Sequence, residues 1–265
     1  MSKLDKLKEI LKPLPGVVIA YSGGVDSTFL TIVAREVLGE RVLAVTAVSP
    51  TYPEQQLFEA KEWAGRYGIN HTVIETNEFD DPNFTANPPE RCYYCKKALF
   101  QELKQIAAKK GNWVLIDGAN IDDLSDHRPG RRAAQELGVR SPLQEAGMTK
   151  EEIRDFSKVM SLPTWNKPAY ACLASRVPYG NEITPEVLRR IDLAENFLAS
   201  LSLVQIRVRD HFPLARIEVG KDELGLAWDS RELICRKLHE FGYPYVTLDL
   251  DGFRSGSMNE VLKKD

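Results

Sequence analysis

One stretch near the beginning of the chain has the residue types that bind phosphate. Residues 20 to 27 read Ala-Tyr-Ser-Gly-Gly-Val-Asp-Ser, and they end an apolar run that starts at Val17. Two adjacent glycines let backbone N–H groups point into one concavity, and a helix that begins behind them adds unpaired amides and the positive end of its dipole. The stretch therefore predicts a strand, a tight turn and a helix N-terminus that hold an anion, with phosphate as the leading candidate.

The side chains of this loop differ from those of the P-loop G-x-x-x-x-G-K-[ST]. The loop has no lysine for a terminal phosphate, but Ser22 and Ser27 supply hydroxyl groups and Asp26 supplies a carboxylate suited to Mg²⁺. These residues indicate a loop that holds a leaving pyrophosphate. A glycine-rich turn without a ligand is the alternative, and the strand–turn–helix context favours the phosphate site.

Cysteines form the second set of reactive residues. Cys92 and Cys95 form C-x-x-C at the start of a predicted helix, where the dipole and free amides favour thiolate, and this pattern is typical of redox or metal chemistry. Cys172 lies in a small-residue stretch between two predicted domains. Three cysteines on a four-iron cluster leave one iron open, whereas a structural metal site usually takes four protein ligands. Cys235 lies on an apolar helix stripe, and we interpret it as a core residue.

Alternating strands and helices position these residues in the first part of the chain. The predicted strands are residues 17–20, 42–48, 72–74 and 113–116, and the predicted helices are residues 27–38, 53–67 and 92–109. This alternation predicts an α/β fold with a parallel, doubly wound, Rossmann-like sheet that binds ligands at the carboxyl ends of its strands. Gly118 follows one such strand end and is expected beside the nucleotide. Residues 77–91 predict a loop that leaves the sheet, and residues 119–132 a charged, solvated loop.

The C-terminal part has a different pattern. Residues 162–168 are interpreted as a linker, so the predicted domains are 1–165, which binds the nucleotide, and 166–265, a smaller α+β domain that binds substrate or forms the oligomer. The predicted elements of this second domain are a helix over 184–201, two alternating strands over 204–209 and 215–219, a helix over 222–241 and a strand over 245–250.

Composition excludes several classes of protein. The chain has 35 basic and 38 acidic residues and a net charge of −3, so it lacks the basic surface expected of a protein that wraps a long nucleic acid. No apolar run is long enough to span a bilayer, and the N-terminal amphipathic pattern is not that of a signal peptide. We therefore expect a cytoplasmic protein whose cysteines are ligands, nucleophiles or core residues.

Several motifs resemble known families. Ser22 to Ser27 match the S-G-G-x-D-S loop of ATP pyrophosphatases, and almost the whole chain resembles the LarE family. That family makes the pyridinium bisthiocarboxylate mononucleotide for the nickel-pincer cofactor of lactate racemase. The other matching motifs are Tyr93-Tyr94-x-Lys96-Lys97, Arg128-Pro129-Gly130, Trp165-Asn166-Lys167, Ser175-Arg176-x-Pro178-Tyr179-Gly180, Tyr245 to Leu250 and Gly252 to Gly256.

The resemblance implies a reaction and its cofactors. ATP and Mg²⁺ would adenylate a carboxylate of pyridinium-3,5-biscarboxylic acid mononucleotide and release pyrophosphate, which converts a poor leaving oxygen into a phosphate leaving group. The residues implied to bind the nucleotide are Ala20, Ser22, Gly23, Gly24, Val25, Asp26, Ser27 and Gly118.

The same resemblance assigns residues to the mononucleotide. Ser175, Arg176, Arg207 and Arg209 would form the cradle for its phosphate, although Arg207 and Arg209 could also be the solvated face of a hairpin. Lys96 or Lys97 would neutralise the acyl phosphate. The catalytic residues that the resemblance implies are Asp26, Lys96 and Cys172. Glu195 and Glu218 match carboxylates near the family's substrate site and are candidate metal ligands.

The source of sulfur depends on one position. In one branch of the family a sacrificial cysteine stands four residues before the serine of S-R-x-P-Y-G, where this chain has Ala171. Cys92, Cys95 and Cys172 match the other branch, in which three cysteines hold a [4Fe-4S] cluster and a sulfide on the open iron is transferred. The resemblance therefore implies a catalyst that is recharged by a sulfide donor, and a homo-oligomer such as a hexamer.

Three other functions stay open at this point. A tRNA thiolase shares the loop and can use three cysteines, but the near-neutral charge and the lack of a recognisable RNA-binding appendage disfavour it. An amidotransferase-type synthetase would leave the three cysteines without a role. A non-catalytic adenine-nucleotide sensor with a structural zinc would bind zinc and release no pyrophosphate.

Overall fold

The computed structural model describes residues 2–124, 129–168, 172–254 and 256–262. In chain order its helices and strands are α1 (Lys3–Leu11), β1 (Val17–Ala20), α2 (Val25–Leu38), β2 (Val42–Val48), α3 (Glu54–Arg66), β3 (His71–Glu75), α4 (Pro82–Thr85), α5 (Arg91–Lys109), β4 (Val114–Ile116), α6 (Gly130–Glu136), α7 (Pro142–Ala146), α8 (Lys150–Val159), α9 (Pro185–Ser200), β5 (Ile206–His211), β6 (Leu214–Val219), α10 (Leu224–Asp229), α11 (Arg231–Glu240) and β7 (Tyr245–Leu248). Within the described ranges, no helix combines the length and apolar character needed to cross a membrane.

The chain divides into two compact units. The N-terminal unit comprises Met1–Asp81 and Glu90–Tyr170, and the C-terminal unit comprises Pro82–Pro89 and Ala171–Asp265. The short helix α4 thus groups with the C-terminal unit, although it lies between two elements of the N-terminal one. The functional domains 1–165 and 166–265 stay a prediction.

The N-terminal unit is built on a four-stranded parallel sheet in the order β3-β2-β1-β4. β1 lies near the middle and is apolar throughout, with Val17, Val18 and Ile19 fully buried, as expected for a strand covered on both faces. α2 packs Phe29, Leu30 and other apolar residues into the core that β1 shares. The predicted α/β fold class, with a second and smaller sheet in the C-terminal part, is confirmed.

The C-terminal unit contains a three-stranded sheet in the order β5-β6-β7. β5 and β6 are antiparallel, and β6 and β7 are parallel. One face of the sheet is apolar and packs with residues of α9 and α11, including Leu198, Val208, Ile217 and Leu238. Because side chains alternate along a strand, the opposite face carries the charged residues of β5 and β6.

Three predictions of local structure are wrong. The loop predicted over 77–91 contains the short helix α4 and the first residue of α5. The single helix predicted over 222–241 is a 3-10 turn (Lys221–Glu223) followed by α10 and α11, with Ser230 in a non-helical conformation between them. Asp229 and Ser230 are residue types whose side chains compete for helical backbone groups, which favours a break. The loop predicted to end at residue 132 is also too long, because α6 begins at Gly130.

Asn87 connects the two segments of the C-terminal unit, Pro82–Pro89 and Ala171–Asp265, by hydrogen bonds. This residue is fully buried with φ of 53°, and its Nδ2 donates to the carbonyl oxygens of Val177 at 3.2 Å and Pro178 at 2.7 Å. The carbonyl oxygen of Asn87 accepts a bond from the Gly180 amide at 2.9 Å. A side-chain amide therefore satisfies two carbonyl groups of the motif that begins at Ser175.

We predict that Asn87→Ala lowers the free energy of unfolding by about 2–4 kcal/mol, since it removes two donors from carbonyl groups and leaves a left-handed backbone without asparagine. Urea denaturation followed by circular dichroism measures the loss. Asn112→Ala is the matched control, because Asn112 also has a positive φ, of 59°, but is exposed. Equal losses in the two variants would show that the bonds of Asn87 contribute nothing.

Candidate functional site

The glycine loop connects the end of β1, at Ala20, with the first turn of α2. Gly23 has φ of 65°, and a Cβ added there would lie 3.0 Å from the Cβ of Ala60. Gly24 is the N-cap of α2 and has no side chain to accept bonds from the first-turn amides. These amides and the positive end of the helix dipole lie at the loop, so the loop has the features of an anion site.

Hydroxyl groups at both ends hold the loop in a compact turn. The Oγ atoms of Ser22 and Ser27 are 3.1 Å apart, and Ser27 Oγ also accepts a bond from the Ser22 amide at 3.3 Å. The hydroxyl of Tyr52 donates to the carbonyl oxygen of Ser22 at 2.8 Å. The structure thus brings the sequence-predicted residues from Ser22 to Ser27 together at one strand end.

Asp26 lies in the first turn of α2, and both of its carboxylate oxygens have partners. Asn120 Nδ2 donates to Oδ1 at 3.3 Å, and Lys150 Nζ donates to Oδ2 in a short ion pair. Lys150 is the first residue of α8, 124 positions away from Asp26 in the chain. A segment remote in sequence therefore brings a cation to a loop that has none.

A second lysine reaches the loop from another segment. Lys167 Nζ donates to the carbonyl oxygen of Gly23 at 3.1 Å and forms an ion pair with Glu59 at 2.6 Å. Sequence reasoning gave no individual role to Lys150, Lys167 or Asn120. The Trp165-Asn166-Lys167 motif was the one signal that could have found any of them.

Gly118 has a steric reason to be glycine. It follows β4, and a Cβ added there would lie 3.0 Å from the backbone nitrogen of Ser27 and 3.3 Å from the carbonyl carbon of Asp26. Contacts below 3.4 Å require a shift of the neighbouring atoms, and backbone atoms of a helix cannot move cheaply. The close approach of this strand end to the first turn of α2 therefore depends on Gly118.

A groove of about 310 Å³ lies beside the loop, at the carboxyl ends of β2 and β3. Its lining residues are Val48, Ser49, Pro50, Tyr52, Glu54, Leu57, Glu75, Thr76 and Asn77. The buried carboxylate of Glu78 accepts bonds from the hydroxyls of Ser49 at 2.6 Å and Thr51 at 3.0 Å, which fixes the segment before Tyr52. The groove and the loop are thus connected through the Tyr52 hydroxyl.

All four cysteines lie within the described ranges, and none forms a disulfide. Cys92 and Cys95 are three residues apart in the first turn of α5, so they lie on one side of that helix, with Cys92 exposed and Cys95 half-buried. Cys172 is exposed and precedes the 3-10 turn Leu173–Arg176 of the C-terminal unit. Among the described residues, no group of three or more His, Cys, Asp or Glu side chains comes together as a metal site.

The two lysines that follow the C-x-x-C lie over aromatic rings. Lys96 Nζ is 5.2 Å from the ring centroid of Phe100, and Lys97 Nζ is 5.6 Å from that of Tyr93. These cation–π contacts keep both ammonium groups near the first turns of α5. The choice between Lys96 and Lys97 as the catalytic residue stays a prediction, and Ala171 lies outside the described residues.

The residues of the expected phosphate cradle lie in the C-terminal unit, and Arg176 is an interior residue. Its guanidinium is fully buried, donates to both carboxylate oxygens of Glu195 at 2.9 and 2.7 Å, and donates to Ser175 Oγ at 3.0 Å. Arg209 donates to the carbonyl oxygen of Ser175 at 3.1 Å. These contacts conflict with the expectation that Arg176 binds phosphate directly, and they support a role in positioning Ser175.

Glu195 and Glu218 were expected as candidate metal ligands, and their partners argue against that role. Glu195 is paired with Arg176 and accepts a bond from the Val208 amide at 2.9 Å. Glu218 is almost fully buried and accepts bonds from Arg209 at 2.7 Å and Arg216 at 3.0 Å. Each carboxylate thus neutralises buried arginine and has little capacity for a cation.

Arg207 is the half-exposed arginine of this cradle. Its guanidinium lies 5.1 Å from the ring centroid of Phe253, and its Nη1 donates to the carbonyl oxygen of Ile206 at 2.6 Å. Stacking on an aromatic ring holds the guanidinium group of an arginine in place. Arg207 and Ser175 are half-buried, whereas Arg176 and Arg209 are buried, so the first two are the most accessible members of the predicted set.

Comparisons with known proteins extend these observations. A family model described as NAD synthase matches residues 5–90, which include the glycine loop. The chain is 46% identical over 265 residues to an uncharacterised protein of Synechocystis, with 99% of each chain covered. It is 38% identical over 264 residues to the pyridinium-3,5-bisthiocarboxylic acid mononucleotide synthase of Lactiplantibacillus plantarum, with 99% of this chain and 96% of that protein covered.

A more distant relative also aligns with most of the chain. A glutamine-hydrolysing GMP synthase subunit from Pyrococcus horikoshii is 24% identical over 285 residues, with 98% of this chain and 88% of that protein covered. The similarity to the mononucleotide synthase is higher and spans both units. The chain therefore belongs to the LarE family of ATP-dependent sulfur transferases.

Proposed function

We propose that this chain uses ATP to adenylate a carboxylate of pyridinium-3,5-biscarboxylic acid mononucleotide, releases pyrophosphate, and converts the activated carboxylate into a thiocarboxylate. The observation that carries this proposal is the loop from Ser22 to Ser27, which joins an uncapped helix N-terminus to two lysines from outside the loop. The relative that is 38% identical over the full chain is named for the bisthiocarboxylate product.

The loop has the donors that a leaving pyrophosphate needs. First-turn amides of α2 and the hydroxyls of Ser22 and Ser27 would bind its oxygens, and Lys150 and Lys167 would balance its charge. The groove beside Tyr52 would take the adenosine part of ATP, because it lies next to the loop at the carboxyl ends of the strands. These amides, hydroxyls and lysines would then stabilise the negative charge that develops on pyrophosphate.

Asp26 fits a magnesium site. Mg²⁺ is usually bound by one or two carboxylates together with substrate phosphates, and the side chain of Asp26 remains 22% exposed at the loop. Asp26 would hold Mg²⁺ through its carboxylate, and the ion would supply positive charge for the phosphates. Lys150, no longer paired with Asp26, would then balance charge on the phosphates.

The C-terminal unit would bind the phosphate of the mononucleotide. Ser175 is fixed by Arg176 through its hydroxyl and by Arg209 through its carbonyl oxygen. Arg207, stacked near Phe253, would supply the charge-assisted bonds. Arg176 and Arg209 would act mainly as positioning residues, because carboxylates already occupy their guanidinium groups.

The donor set of the chain fits an iron–sulfur cluster, and we propose that Cys92, Cys95 and Cys172 hold a [4Fe-4S] cluster. Three thiols that are exposed or half-buried, two of them on one helix turn, are the ligands that such a cluster takes. When bound, the cluster would supply the sulfide. The role of the cysteines in this proposal is to hold it and to leave one iron without a protein ligand.

The first prediction from this proposed function concerns the products formed from ATP. With Mg²⁺ and the biscarboxylate mononucleotide, the chain should form AMP and pyrophosphate, and Lys150→Met should slow this reaction about 100-fold because a preorganised cation at the leaving group is lost. Asp26→Ala should remove most turnover. Pyrophosphate release and nucleotide chromatography measure both effects.

The control for charge alone is Lys12→Met, because the side chain of Lys12 is 72% exposed and the residue precedes the amino end of β1, whereas the loop follows the carboxyl end of that strand. Its rate should stay within about twofold of the unsubstituted chain. Formation of ADP and orthophosphate would contradict the assignment of the loop. An unchanged rate in Lys150→Met would exclude that lysine from the reaction.

The second prediction concerns the cluster. Anaerobic reconstitution should give a brown protein with about four irons per chain, because three thiolates can hold a four-iron cube. Serine at Cys92, Cys95 or Cys172 should each abolish the colour, whereas Cys235→Ser should keep it, since Cys235 is a half-buried residue of α11. A colourless protein with one tightly bound zinc would support the sensor instead.

The third prediction distinguishes an enzyme that turns over repeatedly from one that gives up the sulfur of its own cysteine. Because position 171 is alanine, no thiol stands where the sacrificial donor would be. With free sulfide and ATP, the reconstituted chain should make more than one thiocarboxylate per molecule, and its intact mass should stay the same. Loss of the mass of one H₂S, mapped by peptide analysis to position 172, would identify Cys172 as a consumed donor.

A further inference from the structure

Among the residues that the structure describes, three buried nitrogen atoms on the charged face of the C-terminal sheet have no hydrogen-bond partner. They are Arg209 Nε, His211 Nε2 and Arg216 Nε. Folded proteins satisfy most buried polar atoms, so several unsatisfied ones on a single face of a small sheet call for an explanation. A ligand with acceptor oxygens is one such explanation.

Strand register places the three residues together. Arg209 of β5 lies directly opposite Arg216 of β6, and His211 follows Arg209 by two residues and shares its face. Like charges in opposite positions destabilise a sheet unless something neutralises them. The structure therefore brings two arginines and a histidine together on one face.

The Nη2 atoms of Arg209 and Arg216 both have hydrogen-bond partners within the protein. Glu218 accepts bonds from the Nη2 atoms of Arg209 at 2.7 Å and Arg216 at 3.0 Å, and Ser257 Oγ accepts a further bond from Arg209 Nη2 at 3.2 Å. Asp249 lies 3.6 Å from Arg216 Nε, which is an ionic contact longer than a hydrogen bond. Both Nε atoms thus keep their donor capacity.

The 3-10 segment Ser257–Leu262 covers part of this face, since Met258 Sδ lies 3.9 Å from Arg216 Nη2. Arg209 is nearly fully buried, whereas the side chain of Arg216 is 32% exposed. The three nitrogen atoms are buried, so a ligand would reach them by displacing the partly exposed Arg216 side chain.

We propose that Arg216 and His211, together with Arg209 Nε, form a subsite for a carboxylate, namely the ring carboxylate of the mononucleotide that is not being adenylated. This inference rests on the proposed function and adds two residues to it. Guanidinium groups match the planar geometry of a carboxylate. Arg209 and Arg216 already face Glu218 and Asp249, so the subsite suits a singly charged carboxylate better than a dianionic phosphate.

The protonation state of His211 agrees with this role. Burial, and then the charge of Arg216, hold its pKa below the ordinary value, although Asp210 and Glu218 oppose the shift. The ring is therefore neutral at physiological pH and carries one N–H. A neutral donor adds a hydrogen bond to the carboxylate without adding charge.

Binding of two mononucleotides tests the subsite. Calorimetry without ATP should show that the unsubstituted chain binds pyridinium-3,5-biscarboxylic acid mononucleotide about 10- to 100-fold more tightly than nicotinamide mononucleotide, which has no ring carboxylate. Arg216→Gln should remove most of this difference while leaving the affinity for nicotinamide mononucleotide unchanged. His211→Leu should reduce the difference in part.

Controls separate recognition from folding. Arg216→Gln leaves Glu218 paired with Arg209, and Arg216→Lys keeps the charge but lacks Nε, so both should fold and both should discriminate poorly. Arg231→Gln changes an arginine that is 49% exposed on α11 and should discriminate like the unsubstituted chain. Full discrimination in Arg216→Gln, or an equal loss of affinity for both ligands, would overturn the subsite. If the unsubstituted chain bound neither mononucleotide, the proposed substrate would itself be wrong.

Discussion

The N-terminal unit depends on one electrostatic constraint, which is the unpaired N-terminus of α2 at the end of a central strand. Because β1 is apolar and buried, the chain must turn sharply at Ala20, and the glycines make that turn possible. The first-turn amides of α2 then lack a side-chain cap. A helix end in this state favours an anion, and the neighbouring segments are arranged around the place where that anion would bind.

Two ion pairs keep this place neutral before a nucleotide binds. Lys150 is paired with Asp26, and Lys167 is paired with Glu59 while it donates to the loop backbone. In the proposed function, separate segments would thus supply the positive charge that one lysine supplies inside a P-loop. A lysine on a separate segment can change partners without moving the loop, because only its own side chain has to rotate. This suits a reaction in which the loop must first hold ATP and later release pyrophosphate.

The sequence could predict the loop but not its lysines, and the physical reason is distance along the chain. Strand, glycine turn and helix are local, so residue types at fixed spacing were enough to place Ser22 to Ser27. Lys150 lies 124 positions from Asp26, and Lys167 lies 144 positions from Gly23, so no periodicity connects them. The parallel sheet brings distant strand ends to one edge, but it does not say which side chains arrive there.

The sequence also could not predict which arginine side chains are buried. Arg176 stands in a motif that suggests contact with substrate, yet its guanidinium is saturated by Glu195, Ser175 and the carbonyl oxygen of Cys172. The alternation of β5 did predict the charged face. It could not show that Arg209 would be buried and Arg207 half-buried, because Ser257, which contacts Arg209, and Phe253, which contacts Arg207, come from the far end of the chain.

The two anion sites that we propose differ in how their charge is balanced, and this difference fits the different ligands proposed for them. At the glycine loop each lysine has a carboxylate partner, so a triphosphate with several negative charges needs Mg²⁺ to bind there. On the described face of the C-terminal sheet, Arg209 and Arg216 face Glu218 and Asp249, and Arg207 is half-buried beside Phe253. Guanidinium groups can bind an anionic group by charge-assisted hydrogen bonds without a metal. Magnesium removal should therefore separate the two binding events, abolishing tight ATP binding while leaving the affinity for the mononucleotide largely intact.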